Sequence, residues 1–492
     1  MTSPHELSAL DQYRLLQRRE LGVVELTRHY LDRISSGNAQ LGAFFTVTPE
    51  LALQRAQQVE EAVPRSTRLW GLPFADKDLW RRQGVRTTFG SRAFADHVPE
   101  TTDEIPRVLD EAGAISLGKT ATPEFGMTSH SETAIAPPAR NPWNIELSPG
   151  GSSGGAAAAV AAGLLPFAPG SDGGGSIRIP AAACGLVGLK PSRGRVPGLS
   201  GIDALGGLPV AGPIARSVGD AAFLLDGMIG RRGSVVDDHY ALRAPAQDDG
   251  DFLGFAIRGE GRFQIGVSTD SPWSASHDIV IDPEITAALN DTVALLSDLG
   301  HGIDDASLEP MPGYGSAFTA VWQAGAAQIR LGAGDIGAGD IAAGDEGEQD
   351  ADGGLEPLTS WLRRRGRRLT AVQLAGALAE LFRVERAVIA GFAGFDAVLT
   401  PTLAQLPRPI GWYDAVDAER NFSQQVEYSP FTSFVNASGL PAITLPVAMS
   451  ESGLPIGMQL IGRPGGEGTL LSIGRQLERR LRWERRHPPI WT

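Results

Sequence analysis

The chain has 492 residues, of which 42% are hydrophobic and 20% charged, a composition typical of a folded protein rather than a disordered one. Its net charge of −14 argues against binding to nucleic acid or to an anionic membrane surface. The single cysteine, Cys184, excludes an internal disulfide, and the sequence shows neither a signal-peptide pattern nor a membrane-length apolar run. We therefore expect a cytoplasmic protein.

Helical and strand patterns alternate along the chain. Apolar residues at helical spacing predict helices over residues 7–34, divided near Gly22, and over 50–63, 105–112, 154–162 and 284–299. Short apolar runs predict strands at residues 72–75, 114–117, 186–189, 263–267, 397–399, 442–446 and 457–461. This alternation predicts an α/β fold around one large sheet.

Residues 332–354 break the alternation. They contain Gly-Ala-Gly-Asp-Ile twice, followed by Ala-Ala-Gly-Asp-Glu, so the segment is acidic and poor in large apolar residues. This composition is typical of a surface insert rather than of a core element. Its position shortly after Trp322 raises the hypothesis that it acts as a lid.

Lysine is rare in this chain. Of the 43 basic residues only Lys77, Lys119 and Lys190 are lysines, and the others are arginines. Arginine stays protonated at any working pH, whereas a buried lysine can lose its proton and act as a base. The three lysines are therefore candidates for a role that arginine cannot fill.

A match to a phosphate-binding loop involves Lys119. Residues 113–120 fit its pattern of glycine, four residues, glycine, lysine and threonine. Such a loop must follow a strand and open a helix. Here a predicted helix precedes the motif and a predicted strand runs inside it. We therefore treat the match as chance and expect Lys119 to have a structural role.

A second match places Ser152 in a nucleophile elbow, Gly-x-Ser-x-Gly. An elbow needs a strand before it and a later acid and histidine, and residues 141–149 do not resemble a central strand. The later histidines all lie in polar or terminal contexts, where we expect surface residues. They are His239, His277, His301 and His487. No histidine pair has metal-ligand spacing.

A third interpretation combines Lys77, Ser152 and Ser176, the two serines lying 24 residues apart in glycine-rich segments. A serine hydroxyl is a weak nucleophile until a base removes its proton, and a neutral lysine can be that base. Ser152 can relay the proton between Lys77 and Ser176. The glycines at 173–175 can turn several backbone N–H groups toward one point, as an oxyanion hole requires.

This chemistry requires the pKa of Lys77 to fall from about 10.4 toward about 7, which burial of the ammonium group can produce. Asp76 and Asp78 flank Lys77, and a carboxylate near the amine would oppose this fall. We therefore expect both aspartates to point away from the amine or to be neutralised, for example by Arg178.

These residues resemble the amidase signature family over nearly the whole chain. The motifs that carry the resemblance include Lys77-Asp78, Pro-Gly-Gly-Ser-Ser-Gly-Gly at 149–155, residues 172–180, Gly-Leu-Lys-Pro at 188–191 and residues 457–462. The resemblance implies a single α/β domain over residues 1–492, with a large central mixed sheet flanked by helices on both faces. N-terminal helices would occupy residues 1–65, and the signature core residues 66–200.

The resemblance also implies roles for individual residues. Lys77 is the base, Ser152 the bridging serine after a cis peptide bond, and Ser176 the nucleophile. The implied oxyanion hole consists of the backbone amides of Gly173, Gly174, Gly175 and Ser176. The implied supporting residues are Ser153, Asp172 and Arg178. The family chemistry uses neither a metal nor an organic cofactor.

Two positions depart from the family pattern. Gly173 lies where the family commonly has threonine or isoleucine, and Ser171 where threonine is common. Gly173 would loosen the loop and enlarge the pocket, so specificity is less determined than chemistry. We expect Met127, Thr128 and Trp322 to line the substrate pocket.

The predicted function is hydrolysis of a non-peptide carboxamide through an acyl-enzyme on Ser176. Within the family, the chain is most similar to bacterial enzymes that act on linear or cyclic amides, such as 6-aminohexanoate cyclic-dimer hydrolase. Alternatives are the amidase subunit of a glutamine-dependent amidotransferase, a carbamate or ester hydrolase, an esterase using Ser152, and an inactive scaffold. The expected partner is a small-molecule amide, without nucleic acid or membrane, and a homodimer is left open.

Overall fold

A computed structural model describes residues 3–197, 205–229, 251–331 and 354–491. All but the last residue of the predicted acidic insert, 332–354, lies outside these described residues, and so does His239. The described strands form two separate sheets, where the sequence had predicted one.

The smaller sheet has three strands. It contains β1 (Phe44–Val47), β2 (Pro73–Lys77) and β3 (Ile115–Thr120), in the order β1-β3-β2. Strand β2 runs parallel to β3, and Lys77 at its end lies opposite Thr120. Every residue of β2 and β3 is buried, so this sheet holds Lys77 inside the protein.

The larger sheet has eight strands within the described residues. They are β4 (Phe167–Asp172), β5 (Val187–Lys190), β6 (Val210–Ala215), β7 (Gln264–Val267), β8 (Gly302–Asp305), β9 (Ala397–Pro401), β10 (Ala442–Met449) and β11 (Pro455–Gly462). Their order is β4-β6-β5-β10-β11-β9-β7-β8. The pairs from β4 to β9 are antiparallel, and β7 is parallel to both β9 and β8, so the sheet is mixed.

Helices follow most of the strands. They are α1 (Ala9–Arg18), α2 (Val23–Leu41), α3 (Pro49–Ala62), α4 (Glu104–Glu111), α5 (Gly154–Ala161), α6 (Arg178–Cys184), α7 (Val218–Met228), α8 (Phe252–Arg258), α9 (Pro283–Asp298), α10 (Tyr314–Ala327), α11 (Pro357–Arg367), α12 (Ala371–Phe392), α13 (Ala418–Tyr428), α14 (Ser433–Ser438) and α15 (Glu467–Leu481). None of the helices in the described ranges is both long enough and apolar enough to cross a membrane.

Apolar residues cover both faces of the large sheet. Leu399 and Ile443 pack in one cluster with α7, α9 and α15, whereas their neighbours Val398 and Ala442 pack in another with α10, α12 and α14. Successive side chains of a strand point to opposite faces, so the two clusters lie on opposite sides of the sheet. The fold is therefore the predicted α/β arrangement, with helices on both faces of a large mixed sheet.

Candidate active site

The carboxylates that flank Lys77 are neutralised by other cations. Asp76 accepts a hydrogen bond from Arg82 Nε at 2.6 Å, and Asp78 forms an ion pair with Lys119 at 3.2 Å. The expectation that Arg178 neutralises them is wrong, because Arg178 pairs with Asp172 instead. Side chains alternate along a strand, and this directs the two carboxylates away from the amine between them.

The amine of Lys77 lies at the centre of a hydroxyl cluster. Its Nζ is 2.7 Å from Ser152 Oγ, 2.9 Å from Ser171 Oγ and 3.4 Å from the carbonyl oxygen of Ser171. The side chain is completely buried, and this burial lowers the pKa of Lys77 from 10.5 to about 7 against the opposing field of Asp172. A neutral amine has two N–H donors and one lone pair. The carbonyl oxygen and hydroxyl of Ser171 can accept hydrogen bonds from the two N–H groups, while the lone pair of the amine faces the Ser152 hydroxyl.

The segment that carries Ser152 is held tightly against a neighbouring turn. The peptide bond between Gly151 and Ser152 is cis, as the resemblance implies. A β-carbon at Gly151 would lie only 2.2 Å from the backbone oxygen of His130, so this position accepts no side chain. The hydroxyl of Ser131 donates to the carbonyl of Gly150 at 2.8 Å. The glycine run is therefore a packed, buried structure rather than a flexible loop.

Ser153 joins the two serine segments. Its backbone N–H donates to the carbonyl oxygen of Ser176 at 3.2 Å, and its hydroxyl donates to the carbonyl oxygen of Ser171 at 3.3 Å. These bonds connect the start of α5 to both ends of the turn that follows β4. They fix Ser152 relative to Ser176 through the backbone.

The turn after β4 presents backbone amides near Ser176. The amide of Gly175 donates to Asp172 Oδ1 at 2.7 Å, so it is already used inside the turn. Of the four amides predicted for the oxyanion hole, that of Gly175 is therefore not free, and those of Gly173, Gly174 and Ser176 stay candidates. Within the described part of the chain these three donate no hydrogen bond to protein atoms. They remain available for a substrate oxygen.

A buried charge network fixes this turn. Arg178 Nε and Nη2 donate to the two carboxylate oxygens of Asp172, each at 2.9 Å, and Asn436 Nδ2 donates to Asp172 Oδ1 at 2.8 Å. Burial alone would raise the pKa of Asp172, but Arg178 and these hydrogen bonds hold it at about 2. Arg178 also donates to Gln459 Oε1 at 2.7 Å, which links the turn to β11.

Ser176 opens onto a cavity of about 490 Å³, a volume that includes its solvent-open part. Met127, Thr128 and Trp322 line it, as does Gly126, where an added β-carbon would lie 3.2 Å from Ser152 Oγ. The other lining residues are Ser129, Gly174, Ile179, Trp273, Phe318, Phe422, Gln425, Val426, Ser429 and Ser433. None of these described lining residues carries a charge. The structure thus brings the predicted pocket residues together with the hydroxyl of Ser176.

The phosphate-loop match does not have the required geometry. Lys119 lies inside β3, and the chain continues into a short 3-10 turn, Glu124–Gly126, rather than a helix. The Lys119 amine donates to Thr87 Oγ1 at 2.9 Å and pairs with Asp78. Its role is structural, as predicted.

No later histidine in the described ranges contacts Ser152. His277 bonds to Ser276, and His487 stacks on Trp491. His301 was expected at the surface, but it is buried and its Nδ1 accepts a hydrogen bond from the backbone of Phe263. The elbow interpretation therefore lacks its histidine within the described residues.

Sequence reasoning missed two contributors to the site. Ser171 was noted only as a departure from a family pattern, although its hydroxyl contacts the Lys77 amine. Asn436 carried no motif at all, because it meets Asp172 across 264 residues of sequence. Only the position of Ser171, next to a motif aspartate, offered a signal.

Comparison with known proteins gives a consistent result. A family model described as Amidase matches residues 25–471. The putative amidase AmiB2 of Mycobacterium tuberculosis is 35% identical over 491 residues, covering 98% of each chain. One subunit of the glutamyl-tRNA(Gln) amidotransferase of Moorella thermoacetica is 34% identical over 500 residues, covering 99% of this chain and 98% of the relative. A structure of 6-aminohexanoate cyclic dimer hydrolase complexed with substrate has a TM-score of 0.85 at 29% identity, covering 99% of this chain and 100% of that chain.

Proposed function

The chain belongs to the amidase family, and from this premise we propose that it hydrolyses carboxamides through an acyl-enzyme on Ser176, with Ser152 and Lys77 as the proton relay. One observation carries the assignment of roles. A completely buried lysine whose pKa is about 7 lies 2.7 Å from the hydroxyl of Ser152. At neutral pH a large fraction of this amine is unprotonated, as a general base requires.

The acylation step uses each part of the site once. Lys77 takes the proton of Ser152 while Ser152 takes the proton of Ser176. The Ser176 oxygen forms a bond to the carbonyl carbon, and the negative charge on the substrate oxygen is held by the amides of Gly173, Gly174 and Ser176. When the C–N bond breaks, the amine leaves with a proton returned through Ser152.

Deacylation is the reverse of acylation, with water in the place of the amine. Water enters the position of the departed amine and gives its proton through Ser152 to Lys77 as its oxygen attacks the acyl carbon. Breaking the ester bond returns a proton to Ser176 and releases the carboxylic acid. Asp172 stays ionised throughout and fixes the turn through Arg178, while Ser153 holds the two serine segments together.

The test is covalent labelling with a fluorophosphonate, followed by mass spectrometry of the adduct. We expect label on Ser176, no label in Ser176→Ala, and loss of amide turnover in Lys77→Ala. Lys77→Arg should also be inactive, because it keeps the charge but cannot act as a base at neutral pH. Label on Ser152 instead, or unchanged turnover in Lys77→Ala, would overturn the proposal.

The main alternative is a role within an amidotransferase, favoured by the 34% identity to the Moorella amidotransferase subunit. Glutamine carries an α-ammonium and an α-carboxylate, which are costly to bury without charged partners. The described lining of the cavity has none, which supports a hydrolase of uncharged amides. Glutamine-dependent ammonia release, together with co-purification of a second protein chain, would decide for the alternative.

We also propose a single amidase domain over residues 1–492, working in the cytoplasm without nucleic acid. The continuous apolar core from Ala9 to Trp483 supports a single domain, and the net charge of −14 supports the absence of nucleic acid.

Light scattering measures whether the chain forms the homodimer left open above. Carbamates and esters belong in the substrate panel, because the same acyl-enzyme would form from them.

A further inference from the structure

A side-chain contact, and not the backbone conformation, explains why position 173 is a glycine. Its φ angle does not lie in the left-handed region, so the backbone there would accept any residue. A β-carbon at Gly173, however, would lie 3.3 Å from both Cη2 and Cζ3 of Trp322. The threonine or isoleucine common in the family would add further atoms beyond that point. Gly173 thus leaves room for the indole of Trp322 beside the turn that carries Ser176.

Trp322, Phe318 and Trp273 form an aromatic wall, and Trp322 lies at one end of it. Trp322 projects from α10 and stacks on Phe318 with ring centroids 5.5 Å apart and an interplanar angle of 17°. Phe318 in turn meets Trp273 edge-on at 5.6 Å, and its ring lies 3.5 Å from where a β-carbon of Gly174 would be. All three rings line the cavity. The wall therefore runs from the interior directly to the amides of the oxyanion hole.

Two polar side chains of the cavity, Gln425 and Ser433, are already hydrogen-bonded to neighbouring protein groups. Gln425 accepts a hydrogen bond from the Ser129 amide at 2.8 Å and donates to Asn421 at 2.7 Å. Ser433 is bonded to both Trp273 Nε1 and Tyr314 Oη, each at 2.8 Å. These bonds use part of the polar capacity of the lining, and its described residues offer no charged partner to a substituent. A flat apolar ring gives up no hydrogen bond with water when it enters such a pocket, and it gains contact with the aromatic wall.

We propose that Trp322, packed against Gly173, is the specificity-determining residue that selects amides with a flat, uncharged ring next to the carboxamide. This inference rests on the proposed function, because it assumes that the carbonyl is attacked by Ser176. Gly173 and Trp322 act as a pair, since a side chain at 173 would displace the indole.

The experiment compares substrates that differ only in ring shape. Benzamide is paired with cyclohexanecarboxamide, and acetanilide with N-cyclohexylacetamide, and kcat and KM are measured for each. We expect the wild type to prefer the flat ring in at least one pair. Trp322→Leu should reduce this preference by about threefold to tenfold, through KM more than kcat, and Trp322→Phe should restore most of it.

Substitutions at 173 test the pairing. Gly173→Thr should reduce the preference as Trp322→Leu does, and Gly173→Ala should reduce it less, because it adds only the first clashing atom. Trp412→Leu is the matched control, since Trp412 does not line the cavity and its loss should leave the ratio unchanged. Gly173→Ala also serves if the threonine variant does not fold.

Fluorophosphonate labelling of Ser176 separates the two proposals. If Ser176 is not labelled and no amide is turned over, the proposed function fails. If Ser176 is labelled but turnover of all four amides is too slow to measure, the protection that each amide gives Ser176 against labelling is measured instead. The flat and the non-flat ring of each pair are then compared by this protection. A labelled enzyme whose ring preference is absent, or is unchanged in Trp322→Leu, refutes the role of Trp322 alone.

Discussion

Replacing Lys77 with methionine should abolish turnover and at the same time stabilise the fold. The site holds this amine completely buried, and lowering its pKa from 10.5 to about 7 corresponds to a cost of about 5 kcal/mol in the free energy of unfolding. Methionine has a similar length and no charge to bury. It leaves the hydroxyls of Ser152 and Ser171 without one partner each, at about 1 kcal/mol apiece. The expected net gain is about 3 kcal/mol at neutral pH.

The sign of the effect depends on pH in a defined way. The folded protein binds the Lys77 proton more weakly than the unfolded chain, so the wild type carries the full cost below pH 7. As the pH rises from 7 to 10.5 the unfolded chain loses the same proton, and the cost disappears. The advantage of Lys77→Met should therefore be largest at pH 7 and below, vanish near about pH 9, where the remaining cost equals the two lost hydrogen bonds, and reverse toward pH 10.5.

Urea unfolding of both proteins at several pH values measures this difference. Lys119→Met is the matched control, because Lys119 is equally buried but pairs with Asp78 at 3.2 Å. Its removal leaves a buried carboxylate unpaired and should destabilise the fold by about 3–5 kcal/mol. If Lys77→Met is no more stable than the wild type at pH 7, or if its advantage does not shrink with pH, Lys77 does not carry a depressed pKa.

Three further predictions concern the same site. The value of kcat/KM should rise with pH around a midpoint near 7, since Lys77 must be neutral to act as a base, and a profile flat from pH 5 to 9 would contradict this. Ser171→Ala should reduce kcat by roughly tenfold while Ser171→Thr stays close to wild type, because the hydroxyl 2.9 Å from the amine orients it; equal activity of both variants would argue against that role. Gly151→Ala should yield inactive or insoluble protein because of its 2.2 Å clash with the His130 backbone, whereas Gly376→Ala, in open space on an exposed helix, should raise stability by about 0.5–1 kcal/mol in thermal unfolding.

The sequence predicted seven of the eleven described strands and fewer than half of the fifteen described helices, and one of the missed strands is the one that leads to Ser176. Strand β4 contains Pro169, Gly170, Ser171 and Asp172, which interrupt any apolar alternation. It forms because it pairs along its whole length with β6, where Pro213 lies opposite Pro169. Such pairing is a tertiary effect that overrides local propensity. For the same reason the sequence could not show that β2 belongs to a separate small sheet.

The sequence predicted the parts of the candidate site whose residues lie close together in the chain. It did not predict the parts that only the fold brings together. The motif glycines and the aspartate at the end of β4 indicated a turn rich in backbone amides. They could not show that Asp172 itself accepts the Gly175 amide, since this depends on the direction of one carboxylate. The link from Asp172 to Asn436 spans 264 residues and has no sequence signal. The role of Gly173 became clear only from its contact with Trp322.

The rarity of lysine indicated a base, but it did not by itself identify which lysine. All three are buried, and burial with the neighbouring Arg178 also lowers the pKa of Lys190 well below its ordinary value. The amine of Lys190 donates to the carbonyl oxygen of Pro191 at 2.9 Å and contacts no serine hydroxyl among the described residues, so a low pKa there has no nucleophile in that part of the chain to activate. Lys119 is committed to the ion pair with Asp78. Only Lys77 combines a depressed pKa with a hydroxyl at 2.7 Å, so the geometry around the amine, and not the titration of the amine alone, assigns the base.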